Sequence, residues 1–358
     1  MKIQHLFLFA LWNLGGSSHL IKRTGRTSNP DNCLVVRGSS TGTGEYSSLG
    51  DAVDSLGSST DDACIFIYSG TYTEQVIIDY GGNLTLYGYT SDTSSYKKNV
   101  VTFTHSETSS AAGSLDASST VQFKGDYVKV YNINFENSYG SGSQAVAVTA
   151  NGDYQGYYGC SFSGYQDTLY AKAGNQYYSN CYIEGENRHC VPPLMTSWTP
   201  KEPLISPTIM GAGGAVDFIF GDAAAWFGEC TIAANGAGYI TANSRQLSTD
   251  DAWYVIDHST VKAASGYDLE EDVYLGRPWR VLARVIYQYS TLSDIINPKG
   301  WATMADGATP EDRTFEEYEN SGDGSDTSER EYETSTTSAV TKTTLFGSGY
   351  KGWIDTSY

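Results

Sequence analysis

Three short segments of this chain are close copies of one another: YYGCSF at 157–162, YYSNCYI at 177–183 and WFGECTI at 226–232. Cys160 to Cys181 is a step of 21 residues. A unit that short cannot bury an apolar face alone and must stack on its copies, which is the signature of a solenoid. The stretches around them alternate apolar and polar residues in strand fashion, as in CIFIYSG (64–70), NLTLYGY (83–89) and VKVYNINFENS (128–138). Long helical patterns are nearly absent. The chain reads as all-β, a single-domain solenoid with surface loops.

One step breaks the period. Cys181 to Cys230 spans 49 residues, and between them lies ENRHCVPPLMTSWTPKEPLISPTIMGAGG (186–214), crowded with proline and lacking strand alternation. Without those 29 residues the step is 20, and the period returns. Two readings stay open. The segment is a long surface loop, which a solenoid tolerates at small entropic cost, or an unspliced intron read in frame.

The same period gathers polar groups. QAVAV (144–148), GYQDTLYA (164–171), AVDFIFG (215–221) and LGRPW (275–279) recur at coil-like intervals. Gln144 to Asp167 is 23 residues, and Asp167 to Asp217 is 50, or 21 without the interruption. One coil returns a chain to about 4.8 Å from where it began, so Gln144, Gln166, Asp167 and Asp217 are expected on one face. Asp217 stands alone in an apolar run, where a carboxylate needs a partner. A strand-end Asp bonding its own turn is the plain alternative. Two acids and two amides in reach of each other suit acid–base or nucleophilic chemistry.

GTYTE (70–74), QAVAV, GYQDTL, DFIFG and LGRPW, in this order, resemble the pectin methylesterase family, its fungal members above all. The resemblance runs from about Cys33 to the closing GWIDTSY (352–358), interrupted only by 186–214. It implies a right-handed parallel β-helix and hydrolysis of the methyl esters of homogalacturonan, with release of methanol and without cofactor or metal. On the matching positions, Asp217 is the nucleophile and Asp167 the general acid, then base. Arg277 holds Asp217 ionised and oriented, its planar fork suiting a carboxylate. Gln144 and Gln166 supply N–H groups to the oxyanion, and Trp279 offers an aromatic wall to the sugar. Tyr158 and Tyr165, beside the acidic motif, are further candidates for sugar contact.

Composition limits partners and place. The formal net charge is -19 with a pI near 4.5, which argues against nucleic acid or anionic lipid as partners. Such a surface would favour a highly esterified, less charged polymer. MKIQHLFLFALWNLGGSS reads as a signal peptide, and no later run nears the roughly 20 apolar residues of a membrane span. Lys22-Arg23 is a processing site or an ordinary basic pair. Residues 1–23 are therefore expected to be a leader, with or without a short pro-segment, and 24–358 the pectinesterase domain. Six cysteines fit an oxidising compartment, and Asn83-Leu84-Thr85 is a glycosylation sequon. A secreted, monomeric glycoprotein acting on pectin is expected, in contact with neither membrane nor nucleic acid.

Other features weigh less. GSSTG (38–42) matches a serine-hydrolase elbow, but no helical pattern follows it. The five histidines are scattered without zinc spacing. Cys160 and Cys181 are stacked thiols or a disulfide, and the bridge is the reading preferred. The acidic stretch 305–340 reads as surface loops before a docked C-terminal segment, TKTTLFGSGYKGWIDTSY. Two rival functions remain: a polysaccharide lyase on the same architecture, and a pectin-binding protein whose catalysis the 186–214 segment disables.

Overall fold

The computed structural model describes residues 25–30, 32–185, 217–304 and 313–358. The expected leader and the 186–214 segment lie outside the described residues. Successive coils stack their strands into three sheets, of ten, seven and eight strands, and every pairing between these strands is parallel. One coil runs through Gln155–Tyr158, Ser161–Ser163 and Leu169–Ala173; the next runs through Asn175–Ser179, Tyr182–Gly185 and Asp217–Gly221. Tyr157 pairs with Tyr178, Phe162 with Ile183 and Val148 with Leu169, each 21 residues on. Further along, Ala224 pairs with Trp253 and Tyr254 with Val285, so the later coils are longer. Their extra residues form outer loops between unchanged strands. The fold is a parallel β-helix.

In-register parallel stacking brings equivalent side chains face to face, so the core is built in ladders. Phe103, Phe135 and Phe162 stack at centroid distances of 6.1 and 5.8 Å. Tyr157, Tyr178 and Phe227 stack at 4.8 and 4.7 Å. The tyrosine hydroxyls inside the core are satisfied, as buried polar groups must be. Tyr157 donates to Gln155 Oε1 at 3.0 Å and Tyr178 to Gln176 Oε1 at 2.8 Å. At one corner of successive coils Asn132, Gly159, Asn180 and Glu229 take φ between 53 and 58°. That left-handed region turns the chain tightly and favours Gly and Asn.

The thiols differ from expectation. Cys160, Cys181 and Cys230 are free and buried in one column. Cys160 Sγ donates to the Val130 carbonyl at 3.5 Å and Cys181 Sγ to that of Tyr157 at 3.4 Å. Equivalent positions one coil apart carry parallel Cα–Cβ bonds, so their sulfurs do not converge as a disulfide requires. The bridge among the described residues joins Cys33 to Cys64 and ties strand Leu34–Val36 to strand Ala63–Ile67.

One end and one side of the stack are covered. Helix Leu49–Leu56 begins at Ser48, whose side chain accepts from the Asp51 N–H, and buries Leu49, Ala52 and Val53. The C-terminal segment docks as its apolar residues predict. Val340, Leu345, Trp353 and Ile354 pack on Tyr131, Tyr158, Tyr177 and Trp226 of the ten-stranded sheet. Tyr158 is thus fully buried beneath this segment, and its hydroxyl accepts from the Asp355 N–H at 2.8 Å. It is not a sugar contact. In the Tyr157–Tyr158 pair one ring enters the core and the other faces out from a sheet that is already covered.

Candidate active site

The outer face of the seven-stranded sheet carries the polar motifs. Strand Asp217–Gly221 lies between Leu169–Ala173 and Gly238–Asn243, with Leu169 opposite Ile219 and Asp217 opposite Tyr239. Phe218 and Ile219 enter the core, whereas Asp217 and Phe220 line the cleft. Asp167 precedes strand Leu169–Ala173 at φ 63°, a conformation Asp tolerates better than most residues. Its N–H donates to the Asp217 carbonyl at 3.2 Å, which fixes the two acids in adjacent coils. Gln144 donates through Nε2 to Asp167 Oδ2 at 2.7 Å, and Ser109 Oγ donates to Gln144 Oε1 at 3.3 Å.

Arg277 follows strand Val273–Gly276, two coils beyond Asp167's neighbour, and its N–H donates to the Thr241 carbonyl at 3.0 Å. A Cβ on Gly276 would lie 2.1 Å from Thr241 Oγ1, so glycine alone permits this approach. The guanidinium meets Asp217 as a two-pronged fork: Nε to Oδ1 at 2.9 Å and Nη2 to Oδ2 at 2.7 Å. The side chains of the pair are only 10% and 11% exposed. Charge-assisted and bidentate, this is the strong form of ion pair. The Tyr239 ring backs the guanidinium, 4.6 Å from Cζ to centroid. Asp217 therefore has the partner that its place in an apolar strand demands.

Burial and neighbouring charge separate the two acids. Burial, followed by the negative charge of Asp217, pushes Asp167 up to about 8, with Gln144 and Arg277 opposing. Burial also lifts Asp217, to about 6, while Arg277 pulls it down. At neutral pH the site holds one ionised and one protonated carboxyl group. That division suits one acid to attack and the other to donate a proton.

Gln144, Gln166, Asp167, Asp217, Arg277 and Trp279 all line one cavity of about 130 Å³. Tyr165 is half-buried and is not among the described residues that line it. Leu115, Phe220, Ala242 and Met304 complete the wall and carry no sequence signal of their own beyond Phe220's place in DFIFG. Tyr170 stacks on Phe220 at 4.5 Å, and Trp279 closes the aromatic cluster 5.9 Å from Phe220. An open depression lined by Tyr170, Asp222, Leu247 and Arg280 adjoins the cavity and shares Trp279, so the groove runs on past the acids. Among the described residues no group of three His, Cys, Asp or Glu is placed to hold a metal ion. No helix there is long and apolar enough to cross a membrane.

A parallel β-helix with two buried acids, an arginine fork and an aromatic-walled groove is the arrangement expected of a carbohydrate esterase. A family model described as pectinesterase matches residues 35–189 and 209–349, on either side of part of the interrupting segment. A probable pectinesterase A of Aspergillus niger is 60% identical over 342 residues, 96% of this chain and 94% of that relative. Pectinesterase A of Emericella nidulans is 54% identical across the whole of both chains. The crystal structure of the Aspergillus niger pectin methylesterase superposes with a TM-score of 0.82 at 60% identity, covering 93% of this chain and all of that one. The pectin methylesterase from carrot superposes at 0.69 with 27% identity, covering 86% of this chain and 87% of its own. The chain belongs to the pectinesterase family and is a carboxylic ester hydrolase.

Proposed function

We propose that the chain is a secreted, monomeric pectin methylesterase in which Asp217 is the nucleophile and Asp167 the general acid and base. The observation that carries this reading is the buried Arg277–Asp217 fork beside a second acid that keeps its proton at neutral pH. An Asp217 carboxylate oxygen adds to the carbonyl carbon of a galacturonate methyl ester. The resulting oxyanion takes hydrogen bonds from Gln144 and Gln166. As the intermediate collapses, the bond to the methoxy oxygen breaks and Asp167 gives that oxygen its proton, releasing methanol. An acid anhydride then links Asp217 to the substrate. Asp167, now ionised, takes a proton from water, and the hydroxide attacks the substrate carbonyl. Asp217 leaves as carboxylate, and the new galacturonic acid loses its proton to solvent. Arg277 stays paired with Asp217 in the free enzyme and orients it for attack, and Trp279 walls the sugar.

Gln144 tests the oxyanion role. Gln144→Ala is expected to lower kcat about a hundredfold with little change in KM. Gln144 also lowers the Asp167 pKa by its hydrogen bond, so the alkaline limb of the pH–rate profile should move upward. A wild-type rate would remove Gln144 from the mechanism.

Residues 1–23 act in this reading as the leader, and Asn83 in its sequon as a glycan acceptor; the Aspergillus niger crystal structure is described as bearing an N-acetylglucosamine stub. Residues 186–214 are an interruption that the active site does not require. Gly185 and Phe218 touch: a Cβ on Gly185 would lie 2.1 Å from Phe218 Cβ. The two flanks of the segment are therefore neighbours, and Ala215-Val216 can join them. A chain lacking 186–214 is expected to fold and to release methanol from highly esterified pectin at a rate no lower than the full chain. Loss of its activity with the fold intact would make the segment part of the catalytic machinery. Methanol from the shortened chain alone would favour the impaired, pectin-binding reading for the full chain.

A further inference from the structure

Along one margin of the ten-stranded sheet three residues form a column. Asn83, Tyr127 and Tyr154 immediately precede the strands Leu84–Gly88, Val128–Tyr131 and Gln155–Tyr158. Leu84 pairs with Val128 and Lys129 with Gly156, so the three residues stack in successive coils. Asn83 is exposed and opens the sequon Asn83-Leu84-Thr85; its Nδ2 donates to Asp62 Oδ1 at 2.8 Å. Tyr127 and Tyr154 take φ of 55 and 61°, which bulky residues rarely adopt. Their rings stack at 4.7 Å, and Tyr127 is 48% exposed. Because Tyr127 lies between the other two and stacks on Tyr154 with one face, its second face is directed to the coil of Asn83. Trp353 of the C-terminal segment packs 5.6 Å from Tyr154. Asn83, Tyr127, Lys129, Tyr154 and Trp353 line a cavity of about 200 Å³.

We propose that an N-linked N-acetylglucosamine on Asn83 seats in this cavity against Tyr127 and Tyr154 and, through Trp353, holds the C-terminal segment on the sheet. The proposal rests on the secreted reading above. Asn83 Nδ2 attacks the anomeric carbon of a lipid-diphosphate-linked oligosaccharide. The N–C bond forms, the C–O bond to the diphosphate breaks, the lipid diphosphate leaves and one amide proton is lost. The other amide proton remains and can keep the bond to Asp62, which aims the linkage. An aromatic face carries partial negative charge and meets the polarised C–H bonds of a sugar ring. The first sugar is tethered one bond from the amide, so its effective concentration at the rings is high without intrinsic affinity for free sugar.

The test compares the secreted chain, its glycan trimmed to one N-acetylglucosamine, with Thr85→Ala, which keeps Asn83 but destroys the sequon. Melting temperature and the rate of proteolytic release of the C-terminal segment are read, with methanol release alongside. The trimmed chain should melt about 2 °C higher and lose the segment several-fold more slowly. In a Tyr127→Ala, Tyr154→Ala background, or in Tyr127→Ser alone if the double variant does not fold, both differences should vanish. Differences that persist without the rings, or a secreted chain whose Asn83 peptide carries no sugar, would overturn the proposal. Methanol release should be the same in all forms; its absence from all would count against the esterase reading instead.

Discussion

Asp217→Asn is expected to lower kcat for methanol release at least about a thousandfold, with KM little changed. An amide of the same shape keeps the cleft intact but lacks the charge that attacks the ester. The loss should be insensitive to pH, because no remaining group can take over the attack. Stability should change little, because loss of the ion pair to the buried Arg277 is offset by relief of burying the Asp217 charge, whose carboxyl burial lifts to about 6. Circular dichroism would still show the β-helix, since the strand ladders do not depend on this pair. A folded Asp217→Asn protein with near wild-type turnover would remove Asp217 as nucleophile.

Asp167→Asn should lower turnover of methyl esters by about a hundredfold to ten-thousandfold, the usual worth of a placed general acid. The deficit depends on the leaving group. Methoxide needs a proton to depart, whereas a phenolate does not, so a phenyl ester should recover much of the lost acylation rate. Stability changes with the chemistry. Asp167 keeps its proton in the folded protein up to about 8, against an ordinary value of 3.8. Between those two pH values the unfolded chain has released a proton that the native state retains. Ionisation thus favours unfolding, and the contribution of Asp167 to stability declines as pH rises through that window. Asparagine cannot ionise, so the variant should melt higher than wild type near pH 7. The difference should shrink toward pH 4, where both states are protonated. A variant that gains stability while losing its chemistry is the mark of a strained functional group. Equal melting temperatures at pH 7 would show that Asp167 is ionised in the folded protein.

Much of this is legible in the sequence because a solenoid turns sequence period into space. The Cys160–Cys181 step places Asp167 one coil from its neighbours, and the same counting exposes 186–214 as foreign to the repeat. Period alone does not say which way a side chain points. Tyr157 and Tyr158 look alike in sequence, yet one is core and the other lies under the C-terminal segment. Equal spacing of Cys160 and Cys181 suggested a bridge, but parallel Cβ directions keep the thiols apart. The walls contributed by Leu115, which opens a short helix, and by Met304 come from segments outside the repeat, and nothing in their local sequence marks them. The Asp217–Arg277 fork joins residues 60 apart in the chain. Its motifs were visible, while its two-pronged geometry and its backing by Tyr239 emerged only from the stacked strands.

The most direct measurement follows methanol and new carboxylate groups together as the full chain acts on highly esterified homogalacturonan. The predicted result is one methanol for each carboxylate formed, with no shortening of the polymer and no unsaturated uronate. The rate should be greatest between about pH 6 and 8, where Asp217 is ionised and Asp167 keeps its proton. Chain cleavage with unsaturated ends, or a folded protein that releases no methanol across that range, would contradict the account.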